Sequence, residues 1–418
     1  MGYNEGSGGP RIVDVDKMAS IPGSQFTASP PPGGPPIVVT ETSVLPPPAP
    51  TAGAFNLEVY IGPPPPPTSP APGYQGLAVL TDGGDEITLV SGAFAVTDNG
   101  SGGDTLIAEG DNETISGNPD GASATLVLDG SGEVANGGGT DTITVFGSYD
   151  TVNGVGNDSI TVYGQGDIVN AGSGNDTISV FADYDTVLGG TGSDTITVYG
   201  QGDTVVGGGG ADQISVVGNY DTVVGGSGSD TISVVGQGDT VIGSTGPATI
   251  SIVGNYDTVV GGGGIDTITI TGQGDSVIGG SGADMITSTG NYDSVIGGSG
   301  PDTITVFGQG DSITGAGGAD SITVFGNYDT VAAGSGSDTV GLSGSGETFK
   351  AGTATNDTVV GFSQSSGDTI SLPSGDTASY AVAHAAPQNG GTDTLITLND
   401  GSTILLKGVG HIDSGFFS

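Results

Sequence analysis

A chain of 418 residues with 46 Asp and Glu against 4 Lys and Arg carries a formal charge of −42, and it contains no cysteine. So acidic a surface repels nucleic acid and anionic membranes. A disulfide framework is excluded, and no apolar run reaches the ~18 residues of a membrane-spanning helix. Between Met18 and Phe349 there is no basic residue. Regularly spaced carboxylates there repel one another unless a cation from solution, most simply a divalent one, neutralises them.

Glycine supplies 84 residues without a G-X-Y period, which excludes collagen and leaves either low complexity or a tight-turn repeat. High charge with few aromatics is also a composition of disorder. Regularly placed Ile and Val argue against disorder once the charge is neutralised.

The first twenty residues lack a basic stretch followed by an apolar core, so no Sec signal peptide is visible. Residues 1–75 are proline-rich, with PPPGGPP (30–36), PPPAP (46–50) and PPPPPTSPAP (63–72). These read as extended spacers, and the β-branched runs at 37–43 and 55–61 read as short strands. The region is either a disordered leader or a docking or donor segment that caps this protomer or adds to the next.

Residues 76–350 form a repeat array. Asp158, Asp176, Asp194, Asp212 and Asp230, then Asp266, Asp284, Asp302, Asp320 and Asp338, lie 18 residues apart with one gap. A second column, Asp167, Asp185, Asp203, Asp221, Asp239, Asp257, Asp275, Asp293, Asp311 and Asp329, sits nine residues out of phase. Asp85-Glu86-Ile87 and Asp104-Thr105-Leu106 read as degenerate first turns. A nonapeptide unit, two to a turn, signals a solenoid. Each unit is a glycine-rich turn followed by a short strand. Period-2 alternation puts Ile232 and Val234 inward and Thr231, Ser233 and Val235 outward. The expected fold is all-β: a parallel β-roll or β-solenoid with 18-residue turns, a Pro-rich extended N-terminal segment, and a β-rich C-terminal cap over 351–418.

Six units read G-G-x-G-x-D followed by x-Ile. Their residues are Gly189, Gly190, Gly192 and Asp194; Gly207, Gly208, Gly210 and Asp212; Gly225, Gly226, Gly228 and Asp230; Gly261, Gly262, Gly264 and Asp266; Gly279, Gly280, Gly282 and Asp284; and Gly297, Gly298, Gly300 and Asp302. The pattern resembles the hemolysin-type (RTX) calcium-binding nonapeptide. That resemblance implies Ca2+ held between successive turns by backbone carbonyls and the Asp carboxylate, with Asp158, Asp176, Asp320 and Asp338 extending the set. Calcium accepts six to eight oxygens with loose angular demands, and the glycines allow positive φ close to the ion. The bland alternative, an Asp that only closes a solvated turn, leaves the stacked charge uncompensated.

The other column departs from this pattern, alternating Gly-Gln-Gly-Asp with Gly-Asn-Tyr-Asp, so calcium there stays an open question. The alternation sets a superperiod of 36 residues. It is expected to place Tyr220, Tyr256, Tyr292 and Tyr328 against Gly202, Gly238, Gly274 and Gly310 of neighbouring turns, primarily as a packing device. One motif turn is broken: Gly243-Ser244-Thr245-Gly246-Pro247-Ala248 has Ala where Asp belongs, and calcium should be weaker or absent beside it.

Outward Thr pairs such as Thr195/Thr197 and Thr267/Thr269 resemble ice-binding faces, although β-propensity alone explains them. The adjoining column, including Phe146, Tyr163, Phe181, Tyr199, Phe307 and Phe325, spoils a flat plane and suits protein contact instead. At the C-terminus, Asn356-Asp357-Thr358-Val359-Val360-Gly361-Phe362-Ser363, Ser366-Gly367-Asp368-Thr369-Ile370 and Phe416-Phe417-Ser418 resemble the end of type I-secreted RTX proteins. The resemblance implies secretion of an unfolded chain that folds on extracellular Ca2+.

With His384 and His411 as the only histidines there is no HExxH zinc site and no local Ser/His/Asp arrangement, so an enzyme is not expected. The reading is a calcium-binding structural protein, secreted to the outside or surface of a bacterium. It is expected to form a homo-polymer (filament, surface layer or matrix) through the solenoid ends and N-terminal strands. The alternative is a monomeric adhesin or ice-binding module.

Overall fold

The computed structural model describes residues 103–117, 121–353 and 355–418. Upstream it describes the backbone of six strands, Phe26–Ala28, Ile37–Thr40, Phe55–Tyr60, Gly76–Leu80, Glu86–Leu89 and Phe94–Asp98. The three proline runs and Asp85 lie outside the described residues. The chain divides into two compact units, 1–209 and 210–418.

Each unit is a parallel β-solenoid made of two alternating strand series. In the first unit one series runs through Asp104–Ala108, Ala124–Leu128, Thr142–Val145, Ser159–Val162 and Thr177–Val180 to Thr195–Tyr199, each strand parallel to the next. The other runs through Thr114–Ser116, Val134–Asn136, Thr151–Asn153, Ile168–Asn170 and Thr186–Thr191. In the second unit the register has no slip: Thr231 pairs with Thr249, Ile232 with Ile250, Ser233 with Ser251 and Val234 with Ile252. Zero shift follows from the side-chain period of two, since a one-residue slip would expose every Ile and bury every Thr.

The strands alternate as expected: Ile232 and Val234 are fully buried, while Thr231, Ser233 and Val235 face outward. Val223, Val241, Val259 and Val277 of the opposite series close the same core. Turn length drifts at the margins. The backbone bond linking successive acidic residues spans 17 residues at Glu133–Asp150 and Asp150–Asp167, 18 through the centre, and 21 at Glu347–Asp368.

The two N-terminal strands expected at 37–43 and 55–61 occur as Ile37–Thr40 and Phe55–Tyr60, parallel to one another. Phe55–Tyr60 pairs antiparallel with Gly76–Leu80, which in turn pairs parallel with Phe94–Asp98. At the other end Asn356–Val360 pairs parallel with Thr403–Lys407, which continues antiparallel to Asp393–Thr397 and then Ala385–Gln388. A short helix, Ala378–Ala383, lies within the β-rich cap; the Thr377 hydroxyl accepts from the Tyr380 N–H at 3.2 Å and starts it. Phe362 stacks on Phe416 at 5.5 Å and fixes the last turn.

The tyrosine packing is real, but its direction differs from the expectation. Tyr220 lies over Gly238, Tyr256 over Gly274, Tyr292 over Gly310 and Tyr328 over Gly346: each ring covers the glycine of the following turn. Tyr184 covers Gly202. The tyrosines hold φ of 60–64°, an unusual value for a side-chain-bearing residue. A Cβ on Gly274 would meet Tyr256 Cδ1 and Cε1 at 2.8 Å, with the backbone at φ +72°. Gly274→Ala is therefore expected to destabilise the fold by roughly 1–3 kcal/mol, read as a lower denaturation midpoint, whereas Gly317→Ala, whose Cβ would meet only the Ser335 hydroxyl and the Gly298 carbonyl at ordinary contact distances of 3.6 and 3.7 Å, should cost far less.

Candidate metal centre

In the motif turns the second and fourth residues take positive φ: Gly190 and Gly192 (105° and 135°), Gly208 and Gly210 (111° and 135°), Gly226 and Gly228 (111° and 130°), Gly262 and Gly264 (110° and 101°), Gly280 and Gly282 (117° and 143°), and Gly298 and Gly300 (120° and 124°). Two left-handed residues in one turn need glycine. The first glycine has a different task. A Cβ on Gly225 would meet Asp230 Oδ2 at 2.7 Å and the Gly243 carbonyl oxygen at 2.8 Å. Gly261, Gly279 and Gly297 likewise face the Oδ2 of their own Asp and the carbonyl of the next turn. Each motif turn thus brings a carboxylate oxygen and a carbonyl oxygen of its successor around one small space.

The carboxylates form ladders. Along the motif column the N–H of Asp158 donates to Asp176 Oδ1 (2.7 Å), that of Asp176 to Asp194 (2.8 Å), that of Asp266 to Asp284 (2.9 Å), that of Asp284 to Asp302 (2.9 Å), that of Asp302 to Asp320 (2.9 Å) and that of Asp320 to Asp338 (2.8 Å). One oxygen of each Asp therefore does structural work, closing a backbone bond to the preceding turn. The other oxygen does not. Oδ2 of Asp158, Asp176, Asp230, Asp266, Asp284, Asp302, Asp320 and Asp338 is buried and has no hydrogen-bond partner. Asp194 and Asp212 are equally buried. Leaving a charged oxygen so placed costs several kcal/mol unless something balances it.

That balance must come from a cation or a proton. Among the described residues no three acidic or imidazole side chains converge on one point, so a cation here is held chiefly by one carboxylate and backbone carbonyls. A hard, oxygen-loving ion such as Ca2+ fits that donor set.

Two turns handle the problem internally. Asp141 Oδ2 accepts the Gly138 and Gly139 N–H groups (2.8 and 3.3 Å). In the broken turn Ala248 still donates its N–H to Asp266 Oδ1 (2.7 Å), and the buried Ser244 hydroxyl donates to the Gly246 carbonyl (2.8 Å). The turn has lost its charge and tied up a carbonyl.

The second column builds the same ladder on a different turn. Asp239 donates its N–H to Asp257 Oδ1 (2.8 Å), Asp257 to Asp275 (2.9 Å) and Asp293 to Asp311 (2.8 Å). The residue just before the acid is left-handed, alternately Gly and Tyr, and in the turn of Asp311 Gly308 adds a near-extended positive φ of 158°. Sequence spacing missed three buried members: Glu113 and Glu133, where the turns are not 18 residues long, and Glu347, which keeps the 18-residue step from Asp329 but is not an Asp. It also missed Asp357, which continues the motif column, and Asp368, which follows Glu347.

Burial pushes these groups up. Asp158, Asp176, Asp266 and Asp302 rise to about 6. In the second column Asp150, Asp257 and Asp311 rise to about 6, Asp167 to about 7 and Glu133 to about 9. Neighbouring carboxylates of the same column add to the effect.

A parallel β-solenoid with such turns defines a calcium-binding β-roll. Residues 154–178, 185–214, 221–247, 257–286, 269–304, 288–322 and 307–340 match the family model of the RTX calcium-binding nonapeptide repeat. The matched segments, all between residues 154 and 340, are of the RTX type, and RTX repeats bind calcium. Among solved structures, the extracellular lipase LipA from Serratia marcescens is similar at 17% identity and a TM-score of 0.24, covering 46% of this chain and 40% of the lipase. The similar region spans less than half of the lipase, and a likeness this small carries no inference. No curated protein matches the chain.

Raised folded-state pKa values fix the sign of the pH dependence without metal. Protonation favours the fold, so this stability is present below about 4, the ordinary carboxylate value, and is lost as pH rises through about 6 to 7. In a chelator, β-sheet circular dichroism should therefore persist at acid pH and collapse on the way to pH 8. Millimolar Ca2+ should abolish the collapse. A fold indifferent to pH between 4 and 8 in chelator would contradict the burial of these carboxylates.

Proposed function

We propose that this chain is a secreted, calcium-dependent structural protein that folds outside the cell and assembles with copies of itself into a filament, surface layer or matrix. The observation that carries the reading is the column of buried, unpartnered carboxylate oxygens in a stretch without a single basic residue. Its Ca2+ ligands are the first, second and fourth glycines and the Asp of the six motif turns, with Asp158, Asp176, Asp320 and Asp338 in the less regular ones. Where Ca2+ is scarce, mutual repulsion keeps the chain unfolded and fit for export. Where it is abundant, binding and folding are one event, as for extracellular modules with affinities of ~10⁻⁴–10⁻³ M.

In this reading residues 1–75 are a docking or donor segment, 76–350 the calcium roll, and 351–418 an end cap that also carries a type I secretion signal. The role is structural and not catalytic, since the repeats are binding elements. Assembly is supported by the backbone pairing of Ile37–Thr40 with Phe55–Tyr60 and of Phe55–Tyr60 with Gly76–Leu80. The same bonds can form between protomers by exchange of the proline-tethered strands. A second support is the exposed ring stack Phe146–Tyr163–Phe181–Tyr199, with centroids 5.3–5.5 Å apart. The monomeric adhesin or ice-binding reading rests on the outward Ser and Thr columns.

Electron microscopy of the purified protein in EGTA and then in millimolar Ca2+ separates the two. Polymers that appear only with calcium and fail to form on deleting residues 1–75 are expected. Single particles at every concentration would sink self-assembly, and thermal hysteresis would then favour ice binding. For the ligand assignment, Asp266→Asn should lower the number of bound Ca2+ ions measured by calorimetry and reduce calcium-dependent stability by about 1–3 kcal/mol.

A further inference from the structure

The second acidic column poses a separate question, because its turn has another shape and its buried oxygens face other groups. Each of Asp150, Asp167, Asp185, Asp239, Asp257, Asp275, Asp311 and Asp329 is at most 2% exposed, and each has a buried Oδ2 without a hydrogen-bond partner. Around that oxygen, in each of these turns except that of Asp185, where Ala182 stands, lie the glycine three residues earlier and the glycine carbonyl of the preceding turn. A Cβ on Gly272 would meet Asp275 Oδ2 at 2.8 Å and would run into the Gly254 carbonyl oxygen; Gly236, Gly308 and Gly326 repeat the arrangement. Two oxygens thus flank one narrow space in which neither supplies a hydrogen.

One turn shows what the oxygen requires. Along the inward positions five residues before each acid stand Val234, Ile252, Ile270, Val306 and Val324, all buried and aliphatic. The exception is Ser288, fully buried in strand Met285–Thr289, whose hydroxyl donates to Asp293 Oδ2 at 2.7 Å. The oxygen therefore borders the apolar core and takes a hydrogen-bond donor when one is offered. Calcium wants six to eight oxygens, and a turn with one left-handed residue and an aliphatic floor does not gather them.

We propose that the second column is held neutral by protons, each unpartnered Oδ2 carrying a hydrogen that it donates to the glycine carbonyl of the preceding turn. The roll then carries calcium along one column and protons along the other. The inference rests on the motif turns being the calcium ligands, as assigned under the proposed function. The titratable groups facing Asp257 are Asp239 and Asp275, and those facing Asp311 are Asp293 and Asp329, all members of the column, while Asp111 acts on Asp150 and Asp183 on Asp185 from outside it, again as like charges. Burial, which lifts Asp257 and Asp311 to about 6 and Asp167 to about 7, acts in the same direction.

The test uses the full chain in saturating Ca2+, with Asp239, Asp257 and Asp275 changed together to Asn. Asn keeps an oxygen for the backbone N–H of the preceding turn and places an N–H where the proton sits. The wild-type melting midpoint should fall as pH rises from 6 to 8.5, because the column must give up its protons. The triple variant should melt higher at pH 8.5, show a flatter pH profile, and bind the same number of Ca2+ ions as wild type. A lower calcium count, or a midpoint reduced at every pH, would overturn the proposal. Infrared spectroscopy of the wild type at pH 5.5 gives a check that needs no variant: a protonated-carboxyl band should be present with calcium bound, and its absence would also overturn it. Asp266→Asn is the control for the other column. If it leaves the calcium count unchanged while the triple variant behaves as expected, the ligand assignment fails and the proton column stands.

Discussion

The structure depends on a carboxylate asked to do two incompatible things. With one oxygen each acidic residue closes a backbone bond to the preceding turn, as in Asp284 with Asp266. With the other it places negative charge in a dry space. An Asn would meet the first demand without creating the second, so a column of Asp makes the fold conditional on something that is not part of the chain. Glycine at the first motif position follows from the same constraint, since any side chain there would occupy the space between Asp230 Oδ2 and the Gly243 carbonyl. The lack of Lys and Arg between Met18 and Phe349 follows as well. An internal cation would satisfy the column permanently and remove its dependence on the medium.

Conditional folding also explains why the core can be thin. Each turn buries a few aliphatic side chains, such as Ile232, Val234 and Val223, and in a solenoid each turn leans only on its neighbours. Most of the polar backbone is satisfied by the parallel ladders, and aromatic residues outside the core add contact by stacking in register, as Phe307 does on Phe325 at 4.9 Å. Hydrophobic burial sets the register, and the counter-charges decide whether the register forms at all.

Much of this was legible in the sequence because the repeat is short and the alternation strict. The Asp columns, the inward Ile and Val, the motif glycines and the defective turn at Ala248 could all be read from spacing. What escaped had a local cause. Glu113 and Glu133 sit where turn length departs from 18, so a fixed period passes over them, and Glu347 keeps the period after Asp329 but not the residue type. Tyrosine was assigned to the wrong neighbouring glycine because spacing is symmetric along the chain, whereas a left-handed residue at φ 61° throws its ring in one direction only. Ser288 carried a usable signal, a polar residue in a position otherwise held by Val or Ile. The helix Ala378–Ala383 lies outside the repeat, where periodicity has nothing to say.

The direction of the tyrosine packing bears on how such a chain can change in length. Each ring needs a bare glycine in the turn ahead, and each Asn offers its side-chain oxygen to the Gln N–H of that same turn, as Asn255 does to Gln273 at 3.0 Å. Removing a glycine turn would bring two tyrosine turns face to face, with a second left-handed side chain where the first ring should lie, and removing a tyrosine turn would leave a left-handed glycine without its ring. Removing two restores every contact. Gene-level expansion or contraction of this array is therefore quantised in pairs of turns, and a duplicated half-unit would be rejected by packing even though its charge pattern and its aliphatic core remain intact.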